Sequence, residues 1–220
     1  LKKIIKTSID NQGFTKSRSI NQLNFYLKYL IIIREWFRES QNIVPEFIDE
    51  TIYYLGTSYA FIWQNINQDI LFNGNYHSNN IEFDQYLKRF GYKFKNENKE
   101  LGGYVILKNK KIVLAIDVGP SPSKKFSKDY QSGVLSFEII SNGKKLISNS
   151  GYFSDKKSKL NKLSKSTALQ SALIIEDYSS CSYEKIRNTD YTINKGCKIT
   201  KKNIIQEENY WKVLAEHDGY

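Results

Sequence analysis

The sequence predicts an α+β chain, with helices first and antiparallel strands after them. Three observations carry this expectation. Apolar stripes at helical spacing occupy the first hundred residues, a polar run of Lys, Asn, Glu and Gly lies at 95–103, and short β-rich segments bounded by turns follow it. At 220 residues and 40% hydrophobic content there is apolar material for one large domain or two small ones.

The first stripe is Leu23, Leu27, Leu30 and Ile31, widened by Tyr26, Ile33 and Phe37. A helix apolar over so much of its circumference packs on more than one side. The second stripe, Ile48, Ile52, Leu55, Tyr59 and Ile62, advances by alternating steps of four and three. Pro45 stands where a first helical turn tolerates it, and Glu46, Asp49 and Glu50 follow near the positive end of the helix dipole. Polar connections at 39–44 and 65–80 are short, so the helices are expected as antiparallel neighbours in an array of hairpins.

Beyond residue 103, segments 104–107 and 112–116 flank 108–111 as a hairpin. Segments 134–140 and 145–148 flank Asn142-Gly143, the pair best suited to a two-residue hairpin turn. Segments 173–175, 183–186 and 191–193 extend the series, as in an antiparallel sandwich or open sheet. Segment 154–166, with Lys156, Lys157, Lys159, Lys162 and Lys165, reads as an exposed loop. The expected division is a helical part at 1–95 and a β-part at 96–220.

The net charge is +10, from 33 basic and 23 acidic residues, yet nucleic acid is not the expected partner. Of the basic residues 28 are lysine, and Ile, Lys, Asn and Tyr fill 91 of 220 positions, a mixture that AT-rich coding produces whatever the function. A phosphate-binding stripe favours the bidentate fork of arginine, and Arg187 is the only arginine beyond residue 100. Residues 1–100 carry 13 basic against 11 acidic groups, whereas 101–220 carry 20 against 12. A basic surface of this kind steers carboxylate polymers by the same Coulombic attraction.

No apolar run approaches the roughly 18 residues of a membrane span. Cys181 and Cys197 make neither a disulfide scaffold nor a four-ligand zinc knuckle, and free buried thiols are expected of them rather than a disulfide. His77 and His217 are expected at the surface, and no phosphate loop, HExxH or nucleophile elbow occurs. Methionine is absent and the chain begins at Leu1 in what reads as mid-helix, so an excised piece is expected. The lack of a leader therefore says nothing about localisation.

Seven segments stand in a fixed order. They are Gln12-Gly13-Phe14 through Ser17-Arg18; Leu71-Phe72-Asn73-Gly74; Gly103-Tyr104; Asp117-Val118-Gly119-Pro120; Gly133-Val134-Leu135-Ser136-Phe137-Glu138; Asn149-Ser150-Gly151; and Ser166-Thr167-Ala168 into Ser171 through Asp177, then Ser180-Cys181. In this order and spacing they resemble the heparinase II/III-like family, in its alphaproteobacterial form, over nearly all of the chain. The resemblance implies the C-terminal helices of an α/α toroid followed by an antiparallel β-sandwich, incomplete here. The chain stops at His217-Asp218-Gly219-Tyr220, which looks like a family segment cut in the middle.

The family's enzymes are polysaccharide lyases, so the resemblance implies β-elimination at a uronic acid and an acidic polysaccharide or oligosaccharide as partner. It also implies a periplasmic or cell-envelope location. The reaction needs the uronate carboxylate neutralised, a base for the α-proton and an acid for the leaving oxygen. The sequence departs from the family at two histidines. Where the family reads Ala-His-Ala-Gly this chain has Tyr130-Gln131-Ser132-Gly133, and Ala-Ala-His-Ser-Thr becomes Ala168-Leu169-Gln170-Ser171-Ala172.

In some relatives histidines and an aspartate bind a structural metal, and the matching positions here are Gln131 or its neighbours, Asn149 and Gln170. Amides are poor zinc ligands, so no metal or other cofactor is expected. The candidate catalytic residues are Tyr130, as the base that the histidine no longer supplies, with Gln131 and Gln170. Core or space-filling roles stand beside those readings. Arg18 reads as a clamp for a substrate carboxylate or as a salt-bridge partner, and Asn73 as a substrate contact or a turn residue. An alternative to a lyase is a non-catalytic glycan-binding or envelope-assembly protein that retains the fold.

Overall fold

Ser19 opens the longest helix by accepting a hydrogen bond from the Gln22 amide at 3.2 Å, which satisfies one of the free N–H groups of a first turn. The computed structural model describes residues 1–64, 66, 68–76, 80–186 and 190–220, so His77 and Arg187 lie outside the described residues. The helices are α1 (Lys2–Ser8), α2 (Ile20–Glu39), α3 (Glu46–Trp63) and α4 (Asn80–Arg89). The stripes expected on α2 and α3 are the faces they bury, Leu23, Leu27, Leu30 and Ile31 against Ile48, Ile52, Leu55, Tyr59 and Ile62. Arg34, late in α2, pairs with Asp49 in the first turn of α3 at 2.5 Å, as in a helical hairpin.

The strands β1 (Glu100–Leu101), β2 (Tyr104–Lys108), β3 (Ile112–Asp117), β4 (Phe137–Ser141) and β5 (Lys144–Ile147) form one antiparallel sheet in that order. Asn142 and Gly143 turn β4 into β5 with φ of 48° and 75°, the left-handed values such a turn demands. Two antiparallel ribbons follow, β6 (Ser182–Lys185) with β7 (Tyr191–Lys195), and β8 (Ile199–Gln206) with β9 (Trp211–His217).

Strand β2 divides its side chains between two cores. Tyr104 and Ile106 join the helical core, while Val105 and Leu107 pack with Ile204, Trp211 and Val213 of the β8–β9 ribbon. Alternation of side chains along a strand produces this division, and burial on both faces explains why the run reads as continuously apolar. The sheet is thus a middle layer between helices and ribbon. The order of helices followed by antiparallel sheets agrees with the expected fold class.

Several local expectations are corrected. Segment 154–166 is not simply an exposed loop: it contains α5 (Lys159–Ser164), capped by Ser158, and Asn161, Ser164 and Lys165 are buried. Residues 173–175 form no strand; their side chains are exposed, and Ile175 makes a single bridge to Tyr178. Strand β4 begins at Phe137 because Leu135 turns the chain with φ 59°. The β8–β9 ribbon carries no clear signal in the sequence, since lysines on its outward face dilute the apolar alternation.

Gly13 (φ +80°) lets the chain lie against α3. A Cβ there would stand 2.5 Å from Tyr54 Cβ and 2.8 Å from the Tyr54 carbonyl, while the Ser58 hydroxyl donates to the Gly13 carbonyl at 2.9 Å. Gly13→Ala is therefore expected to cost about 2–4 kcal/mol, the sum of left-handed strain and overpacking. Denaturant unfolding checks this, and an unchanged midpoint contradicts it.

Candidate functional site

Strand pairing sets Tyr104 opposite Asp117 and Ala115 opposite Glu138, all on the face of the sheet turned to the helices. Segment 14–18, which leads into α2, presses on this face. Phe14 and Phe72 contact the Tyr104 ring with centroids at 5.7 and 5.3 Å, the second stacked. Arg18 then reaches across the sheet end, with its guanidinium 4.7 Å from the Tyr104 ring centroid.

Every N–H donor of Arg18 has an internal acceptor. Nε donates to the Gly102 carbonyl at 3.1 Å, and one terminal nitrogen to the Gly119 and Pro120 carbonyls at 3.2 and 3.1 Å. The other donates to the Gly103 carbonyl at 2.9 Å and to Asp117 Oδ1 at 2.5 Å. A guanidinium offers five donors, so none is left for a substrate carboxylate. Burial opposes the charge, while the Asp117 carboxylate in contact favours it, and the group stays protonated.

Asn73 continues the network. Its Nδ2 donates to Tyr104 Oη at 2.7 Å and Asp117 Oδ2 at 2.9 Å, and its Oδ1 accepts from the Gln131 amide at 3.3 Å. Tyr104 donates in turn to the Arg18 carbonyl at 2.6 Å. Both Arg18 (φ 60°) and Asn73 (φ 22°) hold left-handed backbone, a strain these side-chain bonds sustain.

Gln131 and Gln170 meet on a single acceptor. Gln131 Nε2 donates to the Ser164 carbonyl at 2.7 Å and to the Gly151 carbonyl at 3.1 Å, while Gln170 Nε2 donates to the same Ser164 carbonyl at 3.1 Å. Gln131 Oε1 accepts from the Gly74 amide at 3.1 Å. Asn149 Oδ1 accepts from the Ser171 amide and hydroxyl at 2.9 and 3.1 Å. These residues do not fit a metal ion: their donor atoms are neutral amide oxygens, and those of Gln131 and Asn149 are engaged with the protein. No group of three His, Cys, Asp or Glu side chains gathers among the described residues.

Tyr130 is brought near but not into this network. It is buried, its hydroxyl is 3.5 Å from Ser121 Oγ, and burial pushes the phenol well above its ordinary range. The five residues singled out in the sequence thus cluster under one surface, each turned inward. Of the five, Arg18 borders a cleft of about 360 Å³, walled also by Gln12, Lys16, Ser121, Ser123 and Phe126.

Lys165, one of a run of lysines expected in an exposed loop, is instead buried beside this layer. Its Nζ donates to the Lys128 carbonyl and lies 3.5 Å from the Tyr130 carbonyl, between the rings of Tyr152 and Tyr183 at 5.2 and 5.7 Å. Burial lowers its pKa from 10.5 to about 8, against the pull of Asp129 and Asp190.

Removing one partner from the buried Arg18–Asp117 pair strands the other charge, so Arg18→Ala is expected to cost about 3–5 kcal/mol. Arg18→Lys should recover less than half of that, because an ammonium cannot reach five acceptors in a plane. Denaturant titration of both variants checks this. The unfolded chain holds the Lys165 proton up to about 10.5 and the folded chain releases it near 8. The contribution of Lys165 to stability therefore rises with pH across that window, by at most about 3 kcal/mol. Unfolding compared at about pH 7 and about pH 9, below the range in which the unfolded chain's tyrosines ionise, should show a rise in the native chain larger by about 1 kcal/mol than that in Lys165→Met.

No curated protein matches the chain by sequence. Its fold is similar to the heparinase III BT4657 gene product, at TM-score 0.70 and 16% identity, covering 100% of this chain and 36% of that one. It is also similar to a heparinase III crystal structure, at TM-score 0.67 and 15% identity, covering 99% and 38%. Heparan sulfate lyase HepC from Pedobacter heparinus follows at TM-score 0.64 and 14% identity, covering 88% and 36%. The chain thus spans little more than a third of these proteins, and identities this low establish the fold alone. Residues 95–220, more than half of the chain, match the family described as heparinase II/III-like, C-terminal, and the chain belongs to that family.

Proposed function

We propose that the chain is part of a polysaccharide lyase that cleaves an acidic, uronate-containing glycan by β-elimination. The observation that carries this reading is the family match over residues 95–220, joined to a fold shared with proteins named as heparinase III and heparan sulfate lyase. In this proposal residues 1–95 close a helical toroid and 96–220 open a β-sandwich. The location it implies is the periplasm or cell envelope. Among the described residues, no helix is long and apolar enough to cross a membrane.

Charge supports an acidic partner. A concavity of about 550 Å³ is lined by Lys156, Lys157, Lys159, Lys162 and Tyr191, basic walls beside an aromatic ring. In the cleft above Arg18, Lys16 and Gln12 suit a carboxylate and Phe126 suits the apolar face of a sugar. Arg18 and Asn73 then act by positioning the loop at 117–123. Tyr130, Gln131 and Gln170 hold the layer beneath, and proton transfer falls to groups outside this cluster.

A second reading, a non-catalytic glycan-binding or envelope-assembly protein, is favoured by the two glutamines. Amides cannot exchange protons near neutral pH, and both side chains are occupied internally. The test is incubation of the protein carrying this chain with a panel of polyuronates, read by the ultraviolet absorbance of the unsaturated uronate product. Product formation is expected; binding without product by the folded protein selects the second reading. Tyr130→Phe should keep turnover within about tenfold, since loss of a general base costs about 10²–10⁴-fold. A loss of that larger size would return Tyr130 to the role of base.

A further inference from the structure

Cys181 and Cys197 take no part in the network described above, and both are free and buried. Their sulfurs stand 3.2 Å apart. Cys181 immediately precedes β6 and Cys197 follows β7 by one residue, just outside the paired couple Ser182 and Lys195. The hairpin thus brings the two sulfurs within contact distance of each other, so only a small approach separates the thiol pair from a disulfide. Ser121 clips the two cysteines together: its amide donates to the Cys197 carbonyl at 2.9 Å, and its Oγ accepts from the Cys197 amide at 2.9 Å while lying 3.2 Å from Cys181 Sγ.

We propose that Cys181 and Cys197 are a disulfide-forming site, oxidised by an external disulfide, that cross-links the open end of the β6–β7 hairpin. The bond changes balance as two exchange steps. The Cys181 thiolate attacks the external disulfide, whose S–S bond breaks and releases one thiolate. Cys197 loses its proton and attacks Cys181 Sγ in the mixed disulfide, releasing the second thiolate. Two protein thiols are oxidised and one external disulfide is reduced to two thiols.

The environment sorts the roles. The Cys197 thiol facing Cys181 pulls that group down to about 7, and the same pairing pushes Cys197 up. Cys181 is therefore the attacking sulfur and Cys197 the resolving one. Ser121 lines the cleft and also touches Cys181 Sγ, so it stands between the cleft and the pair. Both cysteines are buried, so oxidation of the folded chain is slow and limited by local opening. During folding it is fast.

The test uses the full chain, reduced and unfolded, then refolded in mixed oxidised and reduced glutathione and quenched with a thiol-alkylating reagent. The expected product is two hydrogens lighter, takes up no alkyl group, and yields a linked tryptic peptide pair, since Lys185 and Lys195 offer cleavage between the cysteines. Its Tm should exceed that of the reduced chain by about 5–10 °C. Cys197→Ser should instead keep glutathione on Cys181. Two alkylated thiols in the refolded native chain, or a persistent glutathione adduct that Cys197 fails to displace, would overturn the proposal. If refolding yields no soluble protein, the same mass readout on folded chain held in oxidised glutathione decides between these outcomes.

Discussion

One guanidinium sets the terms for the junction between helices and sheet. Arg18 enters from the segment before α2 and closes on carbonyls from two separate turns, 102–103 and 119–120, as well as on Asp117. A charge removed from water is tolerated only when every donor finds an acceptor, and here the set is complete. The demand passes to the neighbours. A Cβ on Gly119 would stand 2.5 Å from the Arg18 guanidinium carbon, and one on Gly103 would meet both Arg18 and the Gly119 backbone at 2.8 Å. The residues around Arg18 are small because it occupies the space.

Beneath this junction the contacts are made by side-chain amides. An amide carries donor and acceptor at once and keeps both at every physiological pH. Gln131 uses the two ends in opposite directions, donating toward Ser164 and Gly151 while accepting from Gly74. It thereby joins the helical part to the loop before α5 without a charge to desolvate. The nearby positive charge is Lys165, bound by carbonyls and aromatic rings rather than by a carboxylate in contact.

The helices and the first hairpins were legible in the sequence because their signals are local. The stripe of α3 is a property of eighteen consecutive residues, and Asn142-Gly143 specifies its own turn. The candidate residues were found through motif order, but not their use. Arg18 and Asp117 are 99 positions apart, and nothing near either residue reports that all five donors will be taken. Segment 173–175 has the composition of a strand and finds no partner edge, whereas β8 and β9 look polar and pair along their length. Strand formation there depends on the partner edge and on the face offered by Val105 and Leu107. That information lies in the sheet rather than in the strand itself.

The double burial of β2 has a consequence for how the molecule comes apart. Its even-numbered side chains, Tyr104 and Ile106, belong to the helical core, and its odd-numbered ones, Val105 and Leu107, to the core under the last ribbon. Sliding the strand by one residue would hand each core the other's side chains, so the pairing has no near-degenerate neighbour. Withdrawing the strand would open both cores at once. Helices, sheet and ribbon therefore share one point of failure, and melting is cooperative across the change from helix to strand.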